Sequence, residues 1–372
     1  MELVLTRSKF FKLIISMSFS PPNSPVAPFT ASYSSNFAEL LLQLKCSIAV
    51  STYQAGKVVF ISPKDQEKLV QLPRTFNKPM GIALDGELMA VATKNEVVTF
   101  KNSSELAKAY PSKKNVYDAL FMPRANYYTG YVDIHDLHFG NNKLWAVNTS
   151  FSCICTIDHQ YSFTPYWKPK FIDKLVSEDR CHLNGMVMKD GAPLYVSALG
   201  TGNSKQSWRE DIVNGGVIMH VPSGEIVSQG LAMPHSPHMY DDKLYCLLSA
   251  KEALICVDPQ KGTYEVVKKI PGFVRGMAKH GDFLFICTSK LRQNSSTFKH
   301  LKIAENANVA SILVLHLPSN TIVASFIWKA SVDEIYDIKI IPDIMRPNIL
   351  NTYDDKHLMG LHLPDYTFWA KS

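Results

Sequence analysis

Two stretches one hundred residues apart carry histidines and carboxylates at matching positions. Residues 131–150 read YVDIHDLHFGNNKLWAVNTS and residues 233–250 read MPHSPHMYDDKLYCLLSA, so His135 falls on His235, His138 on His238 and Leu144 on Leu244. Four other segments follow the same plan of polar entry, apolar run and tight turn. Aligned on their turns, the six place Met80, His135, Asn184, His235, Arg275 and Tyr336 at one position. The next position holds Gly81, Asp136, Gly185, Ser236, Gly276 and Asp337.

Such a set can do two kinds of chemistry. The imidazoles of His135, His182 and His235 suit a divalent metal ion of unspecified identity, whose open position would activate water or polarise a carbonyl. Without metal, the same groups suit acid–base catalysis. His135 or His235 is then the base, Asp133 or Asp136 orients it, Tyr336 completes the catalytic set, and Asn184 and Arg275 hold an anionic substrate. Plain alternatives stand beside both: polar channel groups that hold water, and Arg275 as ion partner of Asp337 or Glu334. Trp208 and Arg209, in a long loop, offer a stacking surface and an anion contact, or else pack on a neighbour. Lys290 and Arg292 add positive charge to the rim. No G-x-S-x-G context surrounds any serine, which argues against a nucleophile elbow.

The elements that must position these residues are short strands. Turn signals such as Asp85-Gly86 and Lys189-Asp190-Gly191 separate apolar alternating runs, which is a hairpin pattern. Repeats of roughly 40–50 residues built from such strands indicate a β-propeller, because one blade cannot bury its own faces. The first complete repeat begins at Asn77, and the sixth supplies only the strand 334–341. Three strand-like runs at 47–52, 57–62 and 68–72 lack an inner partner. Together they predict an all-β, six-bladed β-propeller closed by N-terminal strands that complete the last blade, removing the exposed sheet edge. The expected divisions are an irregular lead-in over 1–45 with two helical turns at 37–44, the propeller over 46–345, and a loose tail over 346–372. Residues 102–130 read as a polar, Tyr-rich insertion. The long loops at 148–152, 200–214 and 289–308 should share one face with the polar strand starts.

Composition narrows the function. Hydrophobic content of 46% and charged content of 19% are those of a soluble globular chain. The net charge of +6 is spread without a run of five like charges, which excludes nucleic acid as the expected partner. Seven cysteines, mostly inside apolar strand runs, point to reduced core residues in a cytoplasmic protein. Near the start, Arg7, Lys9 and Lys12 precede LIISMSF, which is short, contains serines and ends in Ser-Pro-Pro without a cleavage motif. It is read as neither signal peptide nor membrane anchor, and Met17 is an alternative start.

The stretches DIHDLHF, LWAVNTSFSCICTID, EDRCHLNGM, YVSALG, SWRE followed by NGGV, VPSGEIV, LAMPHSPH, PGFVRGMA, TSKLR and EIYDI occur in this order. In them the chain resembles an uncharacterised family of bacterial proteins that also occurs beside tetratricopeptide repeats, across roughly residues 46–345. The resemblance implies a propeller and no established activity. More distantly, in architecture alone, it is similar to propellers of the gluconolactonase and lyase kind, in which a metal sits at the channel mouth. The resulting expectation is an enzyme acting on a small polar, anionic molecule by metal-assisted or His-catalysed hydrolysis, lyase chemistry or isomerisation. The alternative is a non-catalytic propeller that binds a peptide or protein.

Overall fold

The computed structural model describes residues 26–291, 298, 301 and 303–370. Arg292, the basic stretch before LIISMSF and Met17 lie outside them. Six sheets of four antiparallel strands each, with additions at two outer edges, form a six-bladed β-propeller. Blade 1 runs Ile82–Asp85, Leu88–Ala92, Glu96–Asn102 and Ala119–Tyr128, and blade 2 runs Ile134–Gly140, Lys143–Asn148, Cys153–Ile157 and Thr164–Trp167. Blades 3, 4 and 5 begin with Leu183–Lys189, Pro234–Tyr240 and Phe273–His280. In blade 6 the inner strand Asp337–Pro342 pairs with Cys46–Thr52, Ser51 opposite Asp337, and Lys57–Pro63 and Leu69–Thr75 complete the sheet. The two ends of the chain thus share one blade, as the unpartnered runs in the sequence require.

The inner strands touch in a closed cycle, each against the next and blade 6 against blade 1. Between neighbouring blades lie six apolar layers, for example Val59, Ile61, Phe285 and Phe326 between blades 5 and 6. These layers bury the faces that no single blade can cover. Tight turns set the strand register. Asn141 and Asn142 have φ of 50° and 56°, and Asp241 and Asp242 have 49° and 58°, the left-handed pairs that suit the right-handed twist of a hairpin.

Three segments differ from expectation. Residues 102–130 are not one insertion: Ala119–Tyr128 is the outer strand of blade 1, its polar and aromatic residues fitting a half-exposed edge. The irregular register at Pro123, which lacks a backbone donor, disguises its alternation. The tail is not loose. Pro347–Ile349 pairs in parallel with Ala119 to Phe121, and the hairpin Gly360–His362 and Thr367–Trp369 closes on helix Ser104–Lys108 through Trp369 Nε1–H to the Leu106 carbonyl at 3.1 Å. In the lead-in, Ala31–Tyr33 extends the outer edge of blade 5, and the expected helical turns form Phe37–Gln43, whose Phe37 and Leu41 are fully buried. Among the described residues no helix is long and apolar enough to cross a membrane.

Candidate functional site

The loops joining second to third strands and the starts of the inner strands meet at one end of the channel and enclose a cavity of about 330 Å³. Met80, His135, His235, Arg275 and Tyr336 all line it, five of the six aligned positions. Asp133 and His182 line it as well. Trp208 and Arg209 enter from the blade 3 loop, and Lys290, Leu291 and Phe298 from the blade 5 loop. The sixth aligned residue, Asn184, does not reach this cavity. It borders a much smaller recess with Asp136, Ser236, His238 and Asp337, to which His135, Arg275 and Tyr336 also contribute.

The backbone ahead of the strands sets the imidazoles. Asp133, His182 and Met233, each two residues before an aligned position, have φ of 55°, 50° and 56°. For a methionine that region is costly, and the packed loops hold it there. The resulting turn brings His135 Nδ1 to 3.1 Å from the Asp133 carbonyl and His235 Nδ1 to 3.0 Å from the Met233 carbonyl. A carbonyl only accepts, so both Nδ1 atoms carry hydrogen and both Nε2 atoms carry a lone pair. Ser249 confirms this assignment at His235. Its hydroxyl donates to the Val274 carbonyl at 2.6 Å and therefore accepts from Nδ1 at 2.8 Å. Burial pushes both histidines well below the usual imidazole range, helped by His182 and Arg275 at His135 and by Arg275 at His235. They are neutral acceptors at neutral pH.

His182 is held differently. Its Nδ1 lies 3.0 Å from each carboxylate oxygen of Asp179, and Trp208 Nε1–H donates to Asp179 Oδ2 at 2.9 Å. The His182 ring rests on the Trp208 ring at 4.4 Å and meets His135 edge-on at 4.8 Å. Trp208, 4% exposed, is therefore part of the wall and not a surface residue. Arg209 stacks on its indole at 4.4 Å.

Arg275 stacks its guanidinium 3.5 Å from the centre of the Tyr336 ring. Among the described residues it has no ion-pair or hydrogen-bond partner, so it is not the counter-ion of Asp337. Burial, opposed by Arg275, keeps the Tyr336 phenol far above its ordinary range. Partial burial also raises Asp133, whose side chain is 43% exposed, against the pull of His182 and Arg275. Lys290 is paired with Asp333 at 2.6 Å.

One residue further along each inner strand the chemistry is spent on assembly. The ring alternates Gly81, Asp136, Gly185, Ser236, Gly276 and Asp337 around the channel. Asp136 accepts from Met186 N of blade 3 at 2.9 Å, Ser236 from Gly276 N of blade 5 at 3.0 Å, and Asp337 from Ile82 N of blade 1 at 2.9 Å. Each polar residue bonds to the following blade. The glycines make room for them: a Cβ on Gly81 would stand 3.0 Å from the Asp136 Cα, and one on Gly185 2.7 Å from Pro237 Cδ. Lys339 lies 3.0 Å from Asp337 and His138 Nε2 3.3 Å from Asp136. Burial would raise the Asp136 carboxyl, but His138, Lys339 and the Met186 N–H outweigh it and hold it well below the carboxylate range. Asp136 is thus a staple between blades, a correction to its reading as a catalytic orienter of His135.

Sequence reasoning missed Asp179, Ser249, Tyr53, Phe273 and Phe298. Asp179 carried the best signal, standing three residues ahead of a histidine in EDRCHLNG. Chemically, the cavity can take an anion on Arg275, accept hydrogen bonds at two imidazoles, and cover an apolar part with Trp208, Phe273 and Phe298. As to metal, each of the three imidazoles has its Nδ1 engaged and its Nε2 available, a pattern that suits ligation. Yet among the described residues no three His, Cys, Asp or Glu side chains are grouped to hold an ion, and Arg275 brings a fixed positive charge to the same cavity.

A chain in the crystal structure of a nidogen/laminin complex is similar to this one at 11% identity and a TM-score of 0.49, over 80% of this chain and 99% of that one. No curated protein matches the sequence. Residues 35–350 match the family model described as Domain of unknown function (DUF4915), and the chain belongs to that family.

Proposed function

We propose that this propeller is an enzyme that binds a small hydroxy acid in the channel mouth and transfers protons on it, in a hydrolysis, elimination or isomerisation. The observation that carries the reading is Arg275, a guanidinium on the cavity wall that stacks on Tyr336. It makes no ion pair or hydrogen bond within the usual distance to another described residue, although Asp133 and Glu334 line the same cavity. A carboxylate of the ligand supplies its partner, by a charge-assisted pair in a partly dry site. The neutral Nε2 atoms of His135 and His235 then accept from ligand hydroxyls, and Trp208, Phe273 and Phe298 cover its apolar side. A volume of about 330 Å³ suits a metabolite and is small for a folded partner. The seven free cysteines, six of them buried, support a reducing, cytoplasmic setting.

Calorimetry with small hydroxycarboxylates, tartrate and citrate among them, tests the reading. At least one should bind the wild-type protein, and Arg275→Gln should weaken it by about tenfold or more, as expected for losing a hydrogen bond to a charged group. Equal binding by both proteins, or none by either across the panel, overturns it.

A further inference from the structure

Three histidines line the cavity, and they are not equivalent. His135 and His235 lean on the backbone carbonyls of Asp133 and Met233, which fix the tautomer but cannot balance a positive charge on the ring. His182 leans on a carboxylate. The Asp179 side chain is 18% exposed and that of His182 15%, so the pair is largely screened from water. Trp208 holds the far side of the carboxylate with its indole N–H and the face of the imidazole with its ring. With Nδ1 turned to Asp179, Nε2 is the ring nitrogen left for the cavity.

We propose that His182 is the group that takes and returns the proton in this cavity, with Asp179 as its positioning residue and Trp208 as the residue that holds Asp179. The inference rests on the reading of the cavity as a proton-transfer site and specifies the residue. In the step, the proton of a ligand or water O–H moves to His182 Nε2, and the O–H electron pair stays on oxygen. The positive charge this places on the ring is paired with Asp179 across the Nδ1–H bond. That oxygen pair forms a new bond to the reacting carbon as the bond from that carbon to the leaving oxygen or carbon breaks. The leaving atom keeps the pair of the broken bond and takes the same proton from Nε2, and the imidazole is neutral again. No oxidant or reductant is involved. Paired with a buried carboxylate, an imidazole is both oriented and stabilised in its charged form. His135 and His235, next to Arg275 and without such a carboxylate bond, serve as acceptors. Of the other carboxylates on the cavity, Glu334 and Asp133, the latter lies 3.8 Å from His135 Nδ1 with its side chain 43% exposed.

The test reads the ring nitrogens directly, on ligand-free protein labelled with ¹⁵N-histidine. His182 should show a protonated Nδ1 and a lone-pair Nε2. Asp179→Asn should reverse this, because the Trp208 N–H claims the amide oxygen and turns the NH₂ group toward Nδ1. Asp179 has φ of 49°, a backbone state asparagine also tolerates, so the variant keeps the loop. In parallel, carbethoxylation of His182 by diethyl pyrocarbonate, followed by mass spectrometry, should slow at least tenfold in Asp179→Asn. Trp208→Phe keeps the ring contact, loses the N–H, and should slow it by a smaller factor. Wild-type His182 with hydrogen on Nε2, or an unchanged tautomer and modification rate in Asp179→Asn, overturns the assignment. The readout needs no ligand, so failure of tartrate and citrate to bind would sink the hydroxy-acid reading without touching this result.

Discussion

Two layers of the channel, one residue apart along each inner strand, treat polar chemistry in opposite ways. In the outer layer His135, His235, Arg275 and Tyr336 keep a nitrogen lone pair, a guanidinium or a phenol that the fold does not consume. In the inner layer Asp136, Ser236 and Asp337 spend their acceptors on backbone N–H groups of the following blade, and glycines stand between them. The difference teaches that density of His and Asp is a poor guide to function by itself. What separates the layers is whether a buried group is already satisfied within the protein. A satisfied group stabilises, whereas one left open in a cavity is available to a ligand.

If that division is right, substitutions in the two layers should fail differently. The largest loss is expected for Asp337→Ala, which strips Lys339 of its nearest partner in a buried setting and orphans Ile82 N–H. Urea unfolding should report about 3 kcal/mol or more of destabilisation, and Asp337→Ala combined with Lys339→Met should recover part of it. A loss below 1 kcal/mol would break the comparison.

Acidification comes next. Burial lowers His238 from the ordinary imidazole value of 6.5 to about 4, with Lys339 adding to the shift, and Asp136 is its carboxylate neighbour. The folded state binds this proton less readily than the unfolded chain, so the stability is fully present above about pH 6.5 and is lost as pH falls toward 4. On the order of 3 kcal/mol is at stake at that one residue. Thermal melts should fall steeply across that window, and His238→Asn should flatten the fall.

Gly81→Ala probes the same layer by sterics. Its new Cβ meets backbone at 3.0 Å, which cannot swing aside, and a cost of about 1–3 kcal/mol is expected in chemical denaturation. Smallest of all is the effect of a chelator. If the imidazoles serve as hydrogen-bond acceptors beside the fixed positive charge of Arg275, EDTA should leave the melting temperature unchanged. Stoichiometric metal lost on His135→Ala or His235→Ala would instead assign the outer layer to metal chemistry.

The repeat was legible because blades impose it. Strands of similar length returning to one channel must repeat their turns, and the register between 131–150 and 233–250 placed five of six aligned residues on one cavity. Asn184 fell below it, although its position in the alignment is the same. The outer strand Ala119–Tyr128 was hidden because an edge strand needs no clean alternation, and Pro123 broke what there was. The docking of the C-terminal hairpin on helix Ser104–Lys108 was equally hidden, since it joins Thr367 to Glu105 across most of the chain.

By itself the amino-acid sequence determined the architecture, the closure of the last blade by both ends, and the end of the channel where polar strand starts gather. Those follow from periodicity, which is local and repeated six times. Tertiary structure alone decided which carboxylate serves which histidine. Asp136 stands beside His135 in sequence, yet its Oδ2 turns to the next blade and its Oδ1 to Leu137 N of its own strand. Asp179, in an irregular loop, reaches His182 and Trp208. Hydrogen-bond partners are settled by where loops return in space, and that depends on contacts no strand period encodes.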